Sequence, residues 1–233
     1  MGLVHNPNVV TDGLVGCWDA GNRRSYPGAG TTCTSPVNNV VSALINTPVF
    51  NPSKGGYFEF DGTNDYLQVT TTSTGYDAIN LTGTTISLFA WVSRYNDTGY
   101  NPLICKRLYG CPQYEFNWYH SSGYNTGGTA KLVFECGGSC GTVYSDTLSS
   151  VDQWRYVGAT YDGTTVRFYV DGEAWGTASL SRTMSTSTDP LRIANNEHVD
   201  GTCDIAVAQI YNRVLTAAEV KQNYNATKGR FGL

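Results

Sequence analysis

The chain has 233 residues, enough to bury roughly 70% of its unfolded surface in a single large domain. Charged residues make up only 15%, the net charge is −4 and no Lys/Arg cluster stands out, which excludes duplex binding by phosphate neutralisation. Aromatics at 12% exclude wholesale disorder, scarce Glu and Lys exclude a coiled coil, and no run of about 18 apolar residues is available to span a membrane.

In chain order, Met1–Val10 reads as polar and irregular, without the basic and apolar regions of a secretory signal. Leu14–Ala20 is the first expected strand. Tyr57–Asp61 and Tyr66–Val69 flank the turn Gly62-Thr63-Asn64-Asp65 and predict a hairpin. Ile86–Tyr95 carries apolar residues on both faces, which predicts a central strand. Leu103–Leu108, Tyr114–His120 and Lys131–Cys136 read as three more. Trp154–Ala178 predicts a three-stranded antiparallel meander turned by Asp162-Gly163 and Asp171-Gly172, since Asp-Gly suits turns that need positive φ. Leu191–Asn195 and Ile205–Tyr211 add two strands.

One helix is signalled, about Ala217–Asn225, by the capping box Thr216-Ala-Ala-Glu219 with Leu215 and Val220 as a hydrophobic staple. The pattern predicts an all-β protein: an antiparallel two-sheet β-sandwich, or jelly roll, with one short C-terminal helix covering an edge. The expected organisation is an N-terminal arm (residues 1–12), a jelly-roll domain (13–226) and a C-terminal tail (227–233), with both ends outside the sandwich and suited to latch onto a neighbour by strand addition.

Seven cysteines suit an oxidising final environment, and their odd number leaves one over. Cys105, Cys111, Cys136 and Cys140 form two short-spaced pairs, read as disulfides or packed thiols, with a four-thiolate zinc site as the alternative. Cys203 is expected as a buried thiol. Tyr95, Tyr100, Tyr109, Trp118, Tyr119 and Tyr124 cluster around the middle loops with Asn96, and fit a glycan platform on the concave face, a protein contact or simple packing. Glu115 and Glu135 lie on expected strands and are candidates to face a groove, but the paired-carboxylate strand motif of the glucanases is absent, so they read as ordinary outer-face residues and no catalytic residue is expected.

The run Gly55-Gly-Tyr-Phe-Glu-Phe-Asp-Gly-Thr-Asn-Asp-Tyr-Leu67 resembles the F-D-G-x-x-D-Y signature of laminin-G-like, concanavalin A-like jelly rolls. Ser87–Val92, Trp154–Gly172 and Asp204–Glu219 resemble that family's later strands and closing helix in the right order, over roughly residues 55–225. The ends, Val10–Asn22 with Ser25–Gly30 and Tyr224–Leu233, are similar to versions found in tailed-bacteriophage virion proteins. The family's usual long turn is only partly similar at Cys33–Val40, which suggests a remodelled loop held by a Cys17–Cys33 pair.

The resemblance implies a calcium site at the sandwich rim, for which the oxygen donors are Asp61, Asn64 and Asp65 in one turn and Asn195, Asn196, Asp200 and Asp204 near another. The same residues also serve as plain turn formers. It further implies a non-enzymatic virion structural protein, made in the host cytoplasm and released by lysis. Such a module decorates the capsid or associates with the tail, bound to particle proteins and facing host-surface polysaccharide. The alternatives are a calcium-assisted lectin-like module and, behind it, a glycan hydrolase.

Overall fold

A computed structural model describes residues 7–94, 99–107, 110–120, 129–137, 141–148 and 152–233. Among these, sixteen strands form two eight-stranded sheets. The strands are β1 (Leu14–Asp19), β2 (Thr32–Ser35), β3 (Val40–Ile45), β4 (Val49–Asn51), β5 (Tyr57–Asp61), β6 (Tyr66–Val69), β7 (Ile86–Arg94) and β8 (Gly99–Lys106). The chain continues with β9 (Tyr114–His120), β10 (Lys131–Cys136), β11 (Gly141–Thr147), β12 (Arg155–Tyr161), β13 (Thr165–Val170), β14 (Glu173–Ser179), β15 (Leu191–Ile193) and β16 (Thr202–Tyr211).

The first sheet runs β14-β13-β12-β7-β16-β5-β4, with β1 also paired to β16. The second runs β11-β10-β9-β8-β15-β6-β3-β2. Every strand pair is antiparallel, so the expected two-sheet sandwich is the observed architecture. β7 is central, held between β12 and β16. Its alternation sends Ile86, Leu88 and Val92 into the space between the sheets and Phe89 and Trp91 to the opposite face. The Asp171-Gly172 turn closes β13 to β14 with both residues at positive φ, 52° and 80°, the two-residue geometry that matches strand twist.

The core between the sheets is strongly aromatic: Trp18, Phe58, Phe60, Tyr114, Phe116, Trp118, Phe134, Tyr161 and Phe168 are all buried. A second, smaller core lies on the outer face of the first sheet. There Phe89, Trp91, Tyr156, Tyr169 and Tyr211 are covered by α1 (Ala217–Thr227) and the C-terminal segment. Gly158 makes this stack possible, because a Cβ at that position would stand 2.0 Å from the Phe89 ring. The Phe89 ring instead stacks on Tyr156 at a 5.2 Å centroid distance.

The capping box at α1 forms as expected: the Glu219 N–H donates to Thr216 Oγ1 at 3.3 Å and the Thr216 N–H donates to Glu219 Oε2 at 2.8 Å. Arg213 clamps the same carboxylate with two further bonds of 3.0 and 2.7 Å. The helix covers a sheet face rather than an edge, because Phe89 and Trp91 would otherwise be left in water.

The ends differ from expectation. Phe231 is buried and stacks on Trp91 at 4.1 Å, and Arg230 bonds Asp19 and the carbonyls of Lys54 and Gly56. The tail is therefore part of the sandwich. At the other end, the Val10 N–H donates to Asn223 Oδ1 at 2.8 Å and Gln222 Nε2 donates to the Asn8 carbonyl at 2.7 Å, so residues 8–10 dock on α1. Both ends complete the cover over the outer apolar face. The first six residues of the expected arm lie outside the described residues.

Among the described residues, no helix is long and apolar enough to cross a membrane. Cys17, Cys33, Cys105 and Cys136 carry thiols, which corrects the expected Cys17–Cys33 pair. The reason is alternation: Cys33 is buried between the sheets, while Cys17 packs against the outer apolar cluster on the other side of its strand. Of the two short-spaced pairs, Cys105 and Cys136 are packed thiols, one on the outer face and one in the core, so neither Cys105–Cys111 nor Cys136–Cys140 is a bridge. Burial pushes the Cys17, Cys33 and Cys136 thiols up to about 12, which makes them inert. Cys111 is disulfide-bonded, and Cys140 lies outside the described residues. No four-thiolate set forms among the described residues.

Candidate functional site

On β9, period-two alternation turns Tyr114, Phe116 and Trp118 inward and Glu115, Asn117 and Tyr119 outward. Register then builds a polar face across the neighbouring strands. Glu115 lies opposite Cys105 on β8 and opposite Glu135 on β10, and Glu135 lies opposite Thr142 on β11. Tyr119 lies opposite Tyr100, and Val133 lies opposite Tyr144. Tyr100, Tyr119, Val133, Glu135, Thr142 and Tyr144, with Arg107 and the loop residues Asn196, His198 and Val199, border a cleft of about 350 Å³ on the outer face of the second sheet.

Glu115 is the hub. It is fully buried, and its Oε1 accepts from the Tyr100 hydroxyl at 2.6 Å, Asn117 Nδ2 at 2.9 Å and Asn196 Nδ2 at 3.0 Å. Its Oε2 accepts from Arg107 Nη1 at 2.7 Å. A buried carboxylate is costly unless satisfied in this way. The network also fixes its partners. Burial, and then the Glu115 charge, hold the Tyr100 phenol well above its ordinary value, so it stays a donor. Asn196 ties the loop down: its Oδ1 accepts from the N–H groups of His198 and Val199 at 3.2 and 3.0 Å, while its Nδ2 reaches Glu115. Ala194 and Glu197 in this loop sit at φ 69° and 83°, left-handed positions that few side chains adopt and that the anchored loop enforces.

Glu135 is placed differently. Its Oε1 accepts from the Thr142 hydroxyl at 2.9 Å, but its Oε2 stands 3.8 Å from Arg107 Nη1, beyond hydrogen-bond length. Burial, reinforced by the Glu115 charge, pushes its carboxyl above the ordinary range. The cleft thus offers one open carboxylate oxygen, three tyrosine rings, and Arg107 and His198. Tyr100 and Tyr119 meet edge to face at 4.7 Å.

Of the expected aromatic residues, the structure brings Tyr100 and Tyr119 into this cleft. Trp118 is corrected: it is fully buried between the sheets, with its indole N–H on the Leu148 carbonyl at 3.2 Å, because its place between Asn117 and Tyr119 turns it inward. Tyr95, Asn96, Tyr109 and Tyr124 lie outside the described residues. Arg107, Tyr144, Thr142, His198 and Val199 escaped the sequence reading. Their signal is cross-strand register, which one strand's pattern does not carry. The outward polar alternation of Glu115 and Asn117 was the clue available.

The expected calcium donors hydrogen-bond within the turns that carry them. Asp61 Oδ1 accepts from the Thr63 N–H at 2.8 Å and Asp65 Oδ1 from the Asp61 N–H at 3.1 Å, so both serve the turn. Burial, with the Asp61 carboxylate adding to it, pushes Asp65 up to about 6. Asn64 lines a shallow pocket together with Asp61 and Asp65. Asp200 accepts from Asn195 Nδ2 at 2.7 Å, and Asp204 sits on β16. Among the described residues, no three acidic, histidine or cysteine side chains form a metal-holding group.

An antiparallel jelly roll with an aromatic and polar cleft on one sheet face defines the class by fold, and its role has to be argued from the cleft. The chain belongs to the concanavalin A-like lectin/glucanases superfamily, whose family model matches residues 61–221. No curated protein sequence matches it. Among solved structures it is similar to the binding domain of Paraclostridial Mosquitocidal Protein 1, with a TM-score of 0.66 and 16% identity over 92% of this chain and 52% of that one. It is also similar to the binding domain of botulinum neurotoxin DC in complex with SialylT, with a TM-score of 0.66 and 12% identity over 93% and 52%. The Trypanosoma rangeli sialidase in complex with sialic acid aligns with a TM-score of 0.66 and 15% identity over 97% and 36%. The chain thus spans about half or a third of the length of these structures, and the likeness is one of fold.

Proposed function

We propose that this chain is a non-enzymatic carbohydrate-binding module that takes a sugar in the cleft between Tyr100, Arg107, Glu135, Tyr144 and the Asn196–Val199 loop. The observation that carries this reading is a pre-organised polar network beside partly buried tyrosine rings on a sheet face that, among the described residues, only the Asn196–Val199 loop overhangs. Sugars need apolar faces to stack on and fixed groups to receive their hydroxyls, and both are present without rearrangement. Binding rather than hydrolysis is favoured because Glu115, one of the two carboxylates here, is fully buried and accepts four hydrogen bonds. The solved relatives support the choice of ligand class: one neurotoxin binding domain is held with SialylT, and the cell entry of botulinum neurotoxin type C depends on two ganglioside molecules.

Affinity electrophoresis through gels containing surface polysaccharides tests the reading. Retardation of the wild-type chain, lost in Tyr144→Ala without release of reducing sugar, is the expected result. Equal mobility of both proteins in every gel contradicts it, and sugar release lost on Glu135→Gln makes the chain a hydrolase.

We further propose that the module is displayed on a phage particle, bound to capsid or tail proteins and exposed at the virion surface. The likeness of both chain ends to virion proteins supports this setting, and many copies strengthen weak individual sites. Mass spectrometry of purified particles tests it: copies scaling with the capsid or tail are expected, and absence from particles contradicts it.

A further inference from the structure

We propose that the cleft selects uncharged glycans and rejects sugars bearing a carboxylate, with Glu135 setting the discrimination. This rests on the cleft being the glycan site. Two carboxylates, Glu115 below and Glu135 in the wall, face a single guanidinium, Arg107. Arg107 donates directly to Glu115 at 2.7 Å and stands 3.8 Å from Glu135, so its charge is shared and one negative charge is left over. His198 at the rim and the phenols of Tyr100, Tyr119 and Tyr144 are the other titratable groups along the wall. Among the described residues, two further cations share this face: Lys131 lies opposite Tyr119 and four residues from Glu135 along β10, about 13 Å away, and Arg192 lies opposite Cys105 in the same cross-strand row as Glu135, three strands or about 14 Å away.

Size makes the charge count decisive. A cleft of about 350 Å³ has an edge shorter than the Debye length of about 8 Å at physiological ionic strength. No substituent of a sugar seated there is screened from Glu135. Among the described residues no donor bonds Oε2 of Glu135, so a sugar hydroxyl gains a charge-assisted bond there, whereas a sugar carboxylate meets like charge. The arrangement therefore departs from the neurotoxin domain held with SialylT, which shares the fold at 12% identity.

The test is a glycan array in which each neutral oligosaccharide is printed beside its sialylated or uronate-bearing counterpart, probed with wild type, Glu135→Gln and Glu135→Asp. Gln keeps the Thr142 bond and removes the charge; Asp keeps the charge. The expected result is binding to neutral glycans with the acidic counterparts weaker by on the order of tenfold. That gap closes in Glu135→Gln and persists in Glu135→Asp. Acidic glycans bound as well as or better than their neutral partners overturn this inference and leave the cleft reading intact. No binding of any glycan by the wild-type protein overturns both.

Discussion

The two sheets obey the same alternation, yet their outer faces have opposite fates. On the first sheet the outward positions are Phe89, Trp91, Tyr156, Tyr169 and Tyr211, and the chain adds α1, residues 8–10 and the C-terminal segment to cover them. On the second sheet the outward positions are Glu115, Asn117, Glu135, Thr142 and Tyr144, and among the described residues only the Asn196 loop leans over them. Apolar outer faces must be buried. A polar face built from satisfied hydrogen bonds can stay open and rigid together, which is what recognition needs. One face of the sandwich holds the fold, and the other is free to hold a ligand.

Substitutions on each side should separate the two roles. The largest effect is expected from Trp91→Ala, which removes stacking on Phe231, Tyr224 and Tyr156 and a 2.8 Å bond to Thr227. Denaturant unfolding should show a loss of about 3–5 kcal/mol, and whatever fraction remains folded should still bind glycan. Glu115→Ala comes next: Tyr100, Asn117, Asn196 and Arg107 lose their acceptor at a buried position. Chemical denaturation is expected to register about 2–4 kcal/mol, and here binding should vanish as well.

Tyr144→Ala sharpens the contrast from the other side. Tyr144 is half-buried on the edge strand β11, so thermal melts should move little while titration calorimetry shows binding weaker by about tenfold, or ~1.4 kcal/mol. A large stability loss in this variant would make the tyrosine part of the scaffold.

The smallest effect belongs to the covering helix. Arg213 and the Thr216 N–H hold Glu219 down to about 2. Because the folded value lies below the unfolded value of about 4.3, this contribution is present above that pH and is lost as pH falls toward 2. The pair is partly exposed, so Glu219→Gln should cost only about 0.5–1 kcal/mol at neutral pH. Melts across the acid range should show wild type and variant converging near pH 2.

Much of the scaffold was legible because its strands alternate strongly. β5, β6, β9 and β10 have the bounds that the pattern gave, and the capping box marked the start of α1. β2 and β4 escaped because they are short, β11 because it begins in a Gly-Thr stretch, and β3 because Asn38-Asn39 before it reads as a turn. The site was legible only in part. Tyr100 and Tyr119 stood out as aromatics, but grouping by nearness in sequence brought in Trp118, which alternation places in the core. Arg107 and Tyr144 become neighbours of Glu135 only through pairing of β8, β9, β10 and β11, and pairing is a long-range property. The cysteine count likewise suggested bridges, whereas the face on which each thiol lies kept four of them apart.

The most direct measurement is a backbone amide chemical-shift titration of the ¹⁵N-labelled chain with the neutral oligosaccharide that gives the strongest array signal. Saturable shifts concentrated at Tyr100, Arg107, Glu135, Tyr144, Asn196 and His198, with the residues under α1 unmoved, are the expected result. Shifts centred on Tyr57, Trp154 and Tyr224, or on the Asp61–Asp65 turn, with the cleft silent, would contradict the assignment of recognition to the open face.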